Sequence, residues 1–245
     1  MKIITFLSDF GGNDWFVAAV KGEIHKIIRD VHIVDITHNI VPFDIHGAAF
    51  LLSAVYRNFP EGTVHLAVVD PGVGGERKPI IIDASGYYFV GPDNGLFSFV
   101  DRSGAKVYEI ASSSEVSATF HARDVFGPAA ARLVNGMKPK TLGREITEYV
   151  HFETPKATKE RGLISCEIVY IDHFGNCITN IPNDWEIKTV QLAGRSISVK
   201  KGYGDGKANE IICVKGSIGH YEIAVNRGNA CNLLQARIGT PAKAL

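Results

Sequence analysis

The first half of the chain repeats one pattern, a short apolar run rich in β-branched residues followed by apolar residues at helical spacing, and this limits the possible folds more than any other feature. Residues 2–7 read as a strand that opens into SDFGGND, and residues 15–29 (WFVAAVKGEIHKIIR) continue with helical periodicity. The pair repeats with a strand over 32–36 and a helix over 45–58, which FPEG at 59–62 ends before a strand over 64–69. Repeated βα units of this kind imply a largely parallel sheet covered by helices. Residues 87–90 and 105–110 add strands, with Pro92, Asp93, Asn94 and Gly95 supplying turn chemistry, and residues 124–133 read as a helix with an early Pro128.

Near residue 155 the texture changes. FETPKATKERG at 152–162 is polar and charged, as a linker should be, and beyond it short alternating strands are separated by Gly-rich turns (SCEIVYID, CITNI, VQLAGRSISV, IICVK, HYEIAV). The expected architecture is an N-terminal α/β domain over 1–154 and a smaller antiparallel, barrel-like β domain over 163–245. At 245 residues, 45% of them hydrophobic, the chain has enough apolar material for one large core or two modest ones. Lys plus Arg equals Asp plus Glu at 26 each, so no global field favours nucleic acid or an anionic membrane. No apolar run approaches the roughly 20 residues that cross a bilayer, and Asp9 falls where a signal peptide would be uninterrupted. A cytoplasmic protein is expected. Cys166, Cys177, Cys213 and Cys231 match no zinc spacing and read as reduced, packed thiols.

Polar residues cluster where strands end. In parallel sheets ligands gather beyond the carboxyl ends of strands, so Ser8, Asp9 and Asp70 are candidates for one crevice. Asp9, beside a glycine pair, has two acceptor oxygens suited to a ribose diol; capping the following helix or fixing the turn would use the same residue. His38, Asp44 and His46 match no metal motif and read as turn and surface residues. No GxxxxGK[ST] loop is present, and GVGG at 72–75 leads into a strand where a phosphate-binding helix would be required. These glycines instead allow close backbone approach, or return Arg77 over Asp70. Asp70 with Arg77 reads either as an ion pair that closes a loop or as part of a site. His121, in TFHARDVFGPAAA, is the candidate third member: the carboxylate accepts a proton from water, the guanidinium holds the carboxylate, and the imidazole completes the hydrogen bonds.

Seven segments carry a family resemblance: SDFGGNDWFVAAVKG, THNIVPFDIHGAAFLL, VVDPGVGGERKP, GPDNGL, TFHARDVFGPAAA, YIDHFGNCITNI and GSIGHYEIAVNRGNA. In this order they resemble the S-adenosylmethionine hydrolases, also called S-adenosylmethionine hydroxide adenosyltransferases, relatives of the fluorinase and chlorinase. The resemblance spans residues 3 to about 235 and implies a homotrimer with active sites at subunit interfaces. It implies that Asp70, Arg77 and His121 activate water, that Asp9 holds the ribose hydroxyls, and that Phe43 lies against the substrate. It further implies that Asp172 binds the substrate's amino group, Asn176 reads adenine, Phe174 makes a ring contact and Ser217 lies near the methionine carboxylate. Where the halogenases follow that serine with arginine, this chain has Ile218.

The implied reaction is displacement by water at the ribose 5′-carbon of S-adenosyl-L-methionine, giving adenosine and L-methionine, with no metal or cofactor. The halogenases replace the Asp and His of the triad with tyrosines and carry an extra loop, for which the interval between VVDPGVGGERKP and GPDNGL is too short. A non-enzymatic sensor of S-adenosylmethionine or adenosine is the alternative of another class.

Overall fold

The computed structural model describes residues 1–111 and 116–245. The chain divides into two compact units, Met1–Glu153 and Thr154–Leu245. In the first, the elements run β1 (Ile3–Ser8), α1 (Phe16–Ile27), β2 (His32–Thr37), α2 (Ile45–Val55), β3 (Val64–Val68), β4 (Pro79–Ala84), β5 (Tyr87–Pro92), β6 (Lys106–Ile110), α3 (Gly127–Val134), α4 (Pro139–Leu142) and β7 (Gly143–Ile146). The strands form one sheet in the order β2-β1-β3-β5-β4-β6-β7.

The sheet is mixed. β2, β1, β3 and β5 pair in parallel, as the βα units require, whereas β4, β6 and β7 join antiparallel. The reversal is local chemistry: Ser85 and Gly86 have φ of 52° and 82°, and two left-handed residues close a tight hairpin between β4 and β5. Side chains alternate across the parallel half. Val64, Leu66 and Val68 pack with Val20 and Ile24 of α1 and Ala129 and Ala130 of α3. Ala67 and Val69 pack on the opposite face with Ala48 and Leu52 of α2. Helices therefore cover both faces, and strand order reverses about β1, which opens a crevice beyond the carboxyl ends of β1 and β3.

The second unit contains β8 (Thr158–Glu160), β9 (Leu163–Ile171), β10 (Cys177–Pro182), β11 (Thr189–Leu192), β12 (Arg195–Ser198), β13 (Ile211–Lys215), β14 (His220–Val225), α5 (Ala230–Leu234) and β15 (Pro241–Ala244). Strand order is β12-β11-β15-β9-β10-β14-β13, with β8 paired to β9 and every ladder antiparallel. A bridge between Val199 and Cys213 brings the two ends of this path together, so the sheet is nearly a closed barrel. Its interior holds Ile168, Ile181, Val190, Ile197, Tyr221 and Ile223. Cys166, Cys177 and Cys213 are buried there too, and burial pushes each thiol up to about 12. One expectation needs correcting: residues 158–160, read as linker, form β8, because Arg161 and Gly162 at φ 49° and 84° make a two-residue hairpin turn onto β9.

Candidate active site

Asp70 stands just beyond β3, and the chain returns to it within seven residues. Val73 N–H donates to Asp70 O at 3.3 Å and Gly75 N–H to Gly72 O at 3.0 Å, folding residues 70–75 into consecutive turns. Arg77 then reaches back: its Nε donates to Asp70 Oδ1 and Oδ2 at 2.9 and 3.0 Å, and its Nη2 to Oδ2 at 2.5 Å. Nη2 also donates to His121 Nδ1 at 2.7 Å. Since guanidinium carries only donors, Nδ1 must be the bare nitrogen, so the imidazole is neutral with its proton on Nε2. Burial, and then the Arg77 charge, hold His121 below the ordinary histidine value, which favours this form. Phe126 carries the guanidinium carbon 5.2 Å from its ring centroid.

The Asp70 and Arg77 side chains are only 6% and 9% exposed. A pair buried this far gives up hydration that its mutual attraction scarcely restores, so closing a loop is a weak reason to keep it. The site reading explains the burial better. Gly74 is the hinge of the arrangement: its φ is +76°, and a β-carbon there would lie 2.2 Å from Ala118 O. Only glycine lets this loop rest on the backbone that delivers His121, which opens a π-helical turn at Ala122–Phe126, a feature frequent at functional sites.

Asp70 and His121 line a cavity of about 380 Å³ together with Asp9, Phe10, Phe43 and Val73. Phe43 N–H donates to Asp9 Oδ2 at 3.0 Å, and Phe43 is held at φ 70° and is 68% exposed. Asp9 does not cap α1, whose N-cap is Trp15 without a side-chain bond. It ties two loops at the cavity edge and retains acceptor capacity. The three residues set aside as metal ligands have other partners: His38 meets Ser8, Asp44 caps α2 by accepting from Gly47 N–H at 2.8 Å, and His46 stacks on Phe152 at 4.0 Å.

In the second unit, Asp172, Phe174 and Asn176 share the turn between β9 and β10. Asp172 Oδ1 accepts from the N–H groups of Phe174 and Asn176 at 2.9 and 2.8 Å, and Oδ2 accepts from Asn176 Nδ2 at 2.8 Å. Asp172 thus builds the turn and keeps Asn176 fixed, while Phe174 at the tip is 72% exposed. Ser217 lies exposed in the turn between β13 and β14. Glu222, missing from the sequence reading, stands between these two turns on β14. Its Oε1 accepts from the Tyr203 hydroxyl, and its Oε2 would lie 2.7 Å from a β-carbon on Gly216. Burial, followed by the charge of Asp172, raises its carboxyl above the ordinary value. A glutamate inside the apolar strand HYEIAV was the available signal.

Comparison with known proteins fits this geometry. Residues 4–143 match the SAM hydroxide adenosyltransferase N-terminal domain and residues 166–243 the corresponding C-terminal domain. The chain belongs to the SAM hydroxide adenosyltransferase family. It is 35% identical to the (R)-S-adenosyl-L-methionine hydrolase of Thermus thermophilus, over 100% of both chains. It is 38% identical to the enzyme of that name from Methanocaldococcus jannaschii, over 96% of this chain and 92% of the other. A fluorinase from Actinopolyspora mzabensis is 30% identical and covers 74% of this chain and 72% of its own. Among solved structures, a conserved protein from Thermotoga maritima superposes with a TM-score of 0.92 at 33% identity, over 98% and 99% of the two chains. The adenosyltransferase fold therefore extends through both units.

Proposed function

We propose that the protein is an enzyme that hydrolyses S-adenosyl-L-methionine at the ribose 5′-carbon, giving adenosine and L-methionine. The observation that carries this reading is the buried Asp70–Arg77–His121 group on the wall of a cavity that also holds Asp9. Water is a poor nucleophile, and a carboxylate that accepts one of its protons raises the electron density on its oxygen as the bond to carbon forms. Arg77 keeps both Asp70 oxygens in place, and His121, neutral and bonded to Arg77, keeps the guanidinium in place.

The bookkeeping closes without a general acid. Water oxygen forms the new bond to C5′, the C5′–S bond breaks, and its electron pair neutralises the sulfonium as the thioether of methionine. One water proton goes to Asp70 and then to solvent. What the protein must supply is alignment of oxygen, carbon and sulfur, which contributes up to about 7–11 kcal/mol in ideal cases.

Asp9 receives the ribose diol and Phe43 flanks the nucleoside. We assign Asp172 to the amino group, Asn176 and Phe174 to adenine and Ser217 to the methionine carboxylate, in a homotrimer whose neighbouring subunits complete each site. The names of the hydrolase relatives specify the R configuration at sulfur, and we propose the same epimer here. We assign a cytoplasmic location; among the described residues no helix is long and apolar enough to cross a membrane.

The deciding experiment incubates the purified protein with each sulfonium epimer in water enriched in heavy oxygen and follows products by mass spectrometry. Adenosine carrying the heavy oxygen, with methionine beside it, is the expected result. Substrate that binds and survives unchanged would replace hydrolysis by sensing, and light scattering at a monomer mass would remove the trimer.

A further inference from the structure

A break in strand regularity lies next to the cavity. β1 and β2 run in register from Ile3 opposite His32 to Phe6 opposite Asp35, but Leu7 then faces Thr37, so Ile36 is an extra residue in β2. In an unbroken strand Asp35 and His38, three residues apart, would point to opposite faces. The bulge turns both toward Ser8 and α1, as bulges beside functional sites often do.

There His38 Nδ1 lies 2.7 Å from Ser8 Oγ, and its ring meets Phe6 edge-on at 4.6 Å. Nε2 lies 3.1 Å from Asp35 Oδ1, an electrostatic contact and not an aligned hydrogen bond. Lys21 of α1 donates to the other Asp35 oxygen at 2.6 Å. Ser8 Oγ accepts from Phe10 N–H at 3.4 Å, so its single proton is free to go to His38 Nδ1. The ring proton then sits on Nε2, on the side of Asp35. The His38 backbone contributes as well, since its carbonyl accepts from Gly11 N–H at 2.7 Å. Asp9 is therefore carried on an arch, residues 8–11, held at both feet by His38.

Asp, His and Ser in series suggest a nucleophile, but Ser8 is fully buried and does not line the cavity. The geometry points instead to His38 as a positioning residue: through Ser8 and Gly11 it holds the Asp9 carboxylate at the angle that meets a ribose diol, without itself lining the cavity. This rests on the ribose role proposed for Asp9.

The test is calorimetry on the full chain with two probes, adenosine and 2′,3′-dideoxyadenosine, which lacks the diol. The unchanged protein should favour adenosine. In His38→Ala, adenosine affinity should fall about tenfold, the loss of one charge-assisted hydrogen bond, while dideoxyadenosine changes little. His38→Asn, which keeps an acceptor near the Nδ1 position, should recover most of the loss. Equal weakening of both nucleosides in His38→Ala, or no change in either, overturns the inference. Equal affinity of the two nucleosides in the unchanged protein is a different failure: it removes the ribose role of Asp9, and the inference with it. Should His38→Ala lose its cooperative melt, Ser8→Ala, which deletes the hydroxyl that His38 holds, must show the same selective loss.

Discussion

Asp70 and Glu222 are both buried carboxylates, and they have different neighbours. Asp70 takes three hydrogen bonds from Arg77, whereas Glu222 has a neutral hydroxyl and the nearby charge of Asp172. Asp70→Asn keeps the shape and removes the proposed base, so kcat should fall by about 10²–10⁴. Adenosine affinity should stay within about twofold, measured by calorimetry, because the lost interaction belongs to the transition state. Loss of both together would make the pair structural. For Glu222 the sign follows from its raised value. Well below the ordinary 4.5 both folded and unfolded forms hold the proton; as pH rises through that value the unfolded chain releases it while the folded chain resists, so stability is lost. Glu222→Gln should therefore raise the melting temperature at about pH 8 relative to its effect near pH 3, where both forms are protonated.

At the scale of elements, the triad depends on two segments that regular structure does not describe, the glycine loop after β3 and the π-helical turn before α3. They meet where Gly74 touches Ala118 O. Gly74→Ala adds both a clash and a left-handed alanine, and should cost about 1–3 kcal/mol in urea unfolding together with a fall in kcat. Gly12→Ala, where a β-carbon meets nothing within 4 Å, is the control and should change neither. The same segments mark how far local pattern reached. Asp70, Arg77 and His121 could be singled out because each sits at a strand end or a helix start, but 44 residues separate Arg77 from His121 and no periodicity links them. β7 and β15 escaped notice because Gly143–Ile146 and Pro241–Ala244 are four-residue edges without strong alternation. β8 escaped because its side chains are all exposed, so hydrogen bonding to β9 alone makes it a strand.

Across the molecule, acid tolerance is set in the first unit by a residue with no part in the chemistry. His65 lies inside β3, with Nδ1 2.8 Å from Thr5 Oγ1, and burial lowers it to about 4 from 6.5. The unfolded chain takes up this proton below about 6.5 and the folded chain only near 4, so stability is full above that window and is lost as pH falls through it. Urea unfolding should show a loss of about 2 kcal/mol between pH 7 and pH 5 that shrinks in His65→Gln. The sequence by itself determined the elements whose side chains answer to their immediate neighbours: the βα repeats, the change near residue 155, and the acidic residues at the ends of β1 and β3. It also carried the family motifs. Only the tertiary structure decided that β4 turns back antiparallel, that His121 is neutral because Arg77 donates to it, and that Glu222 and His38 lie beside the candidate site residues. Those outcomes depend on burial and on donors brought from distant parts of the chain, and neither exists until the sheet has closed.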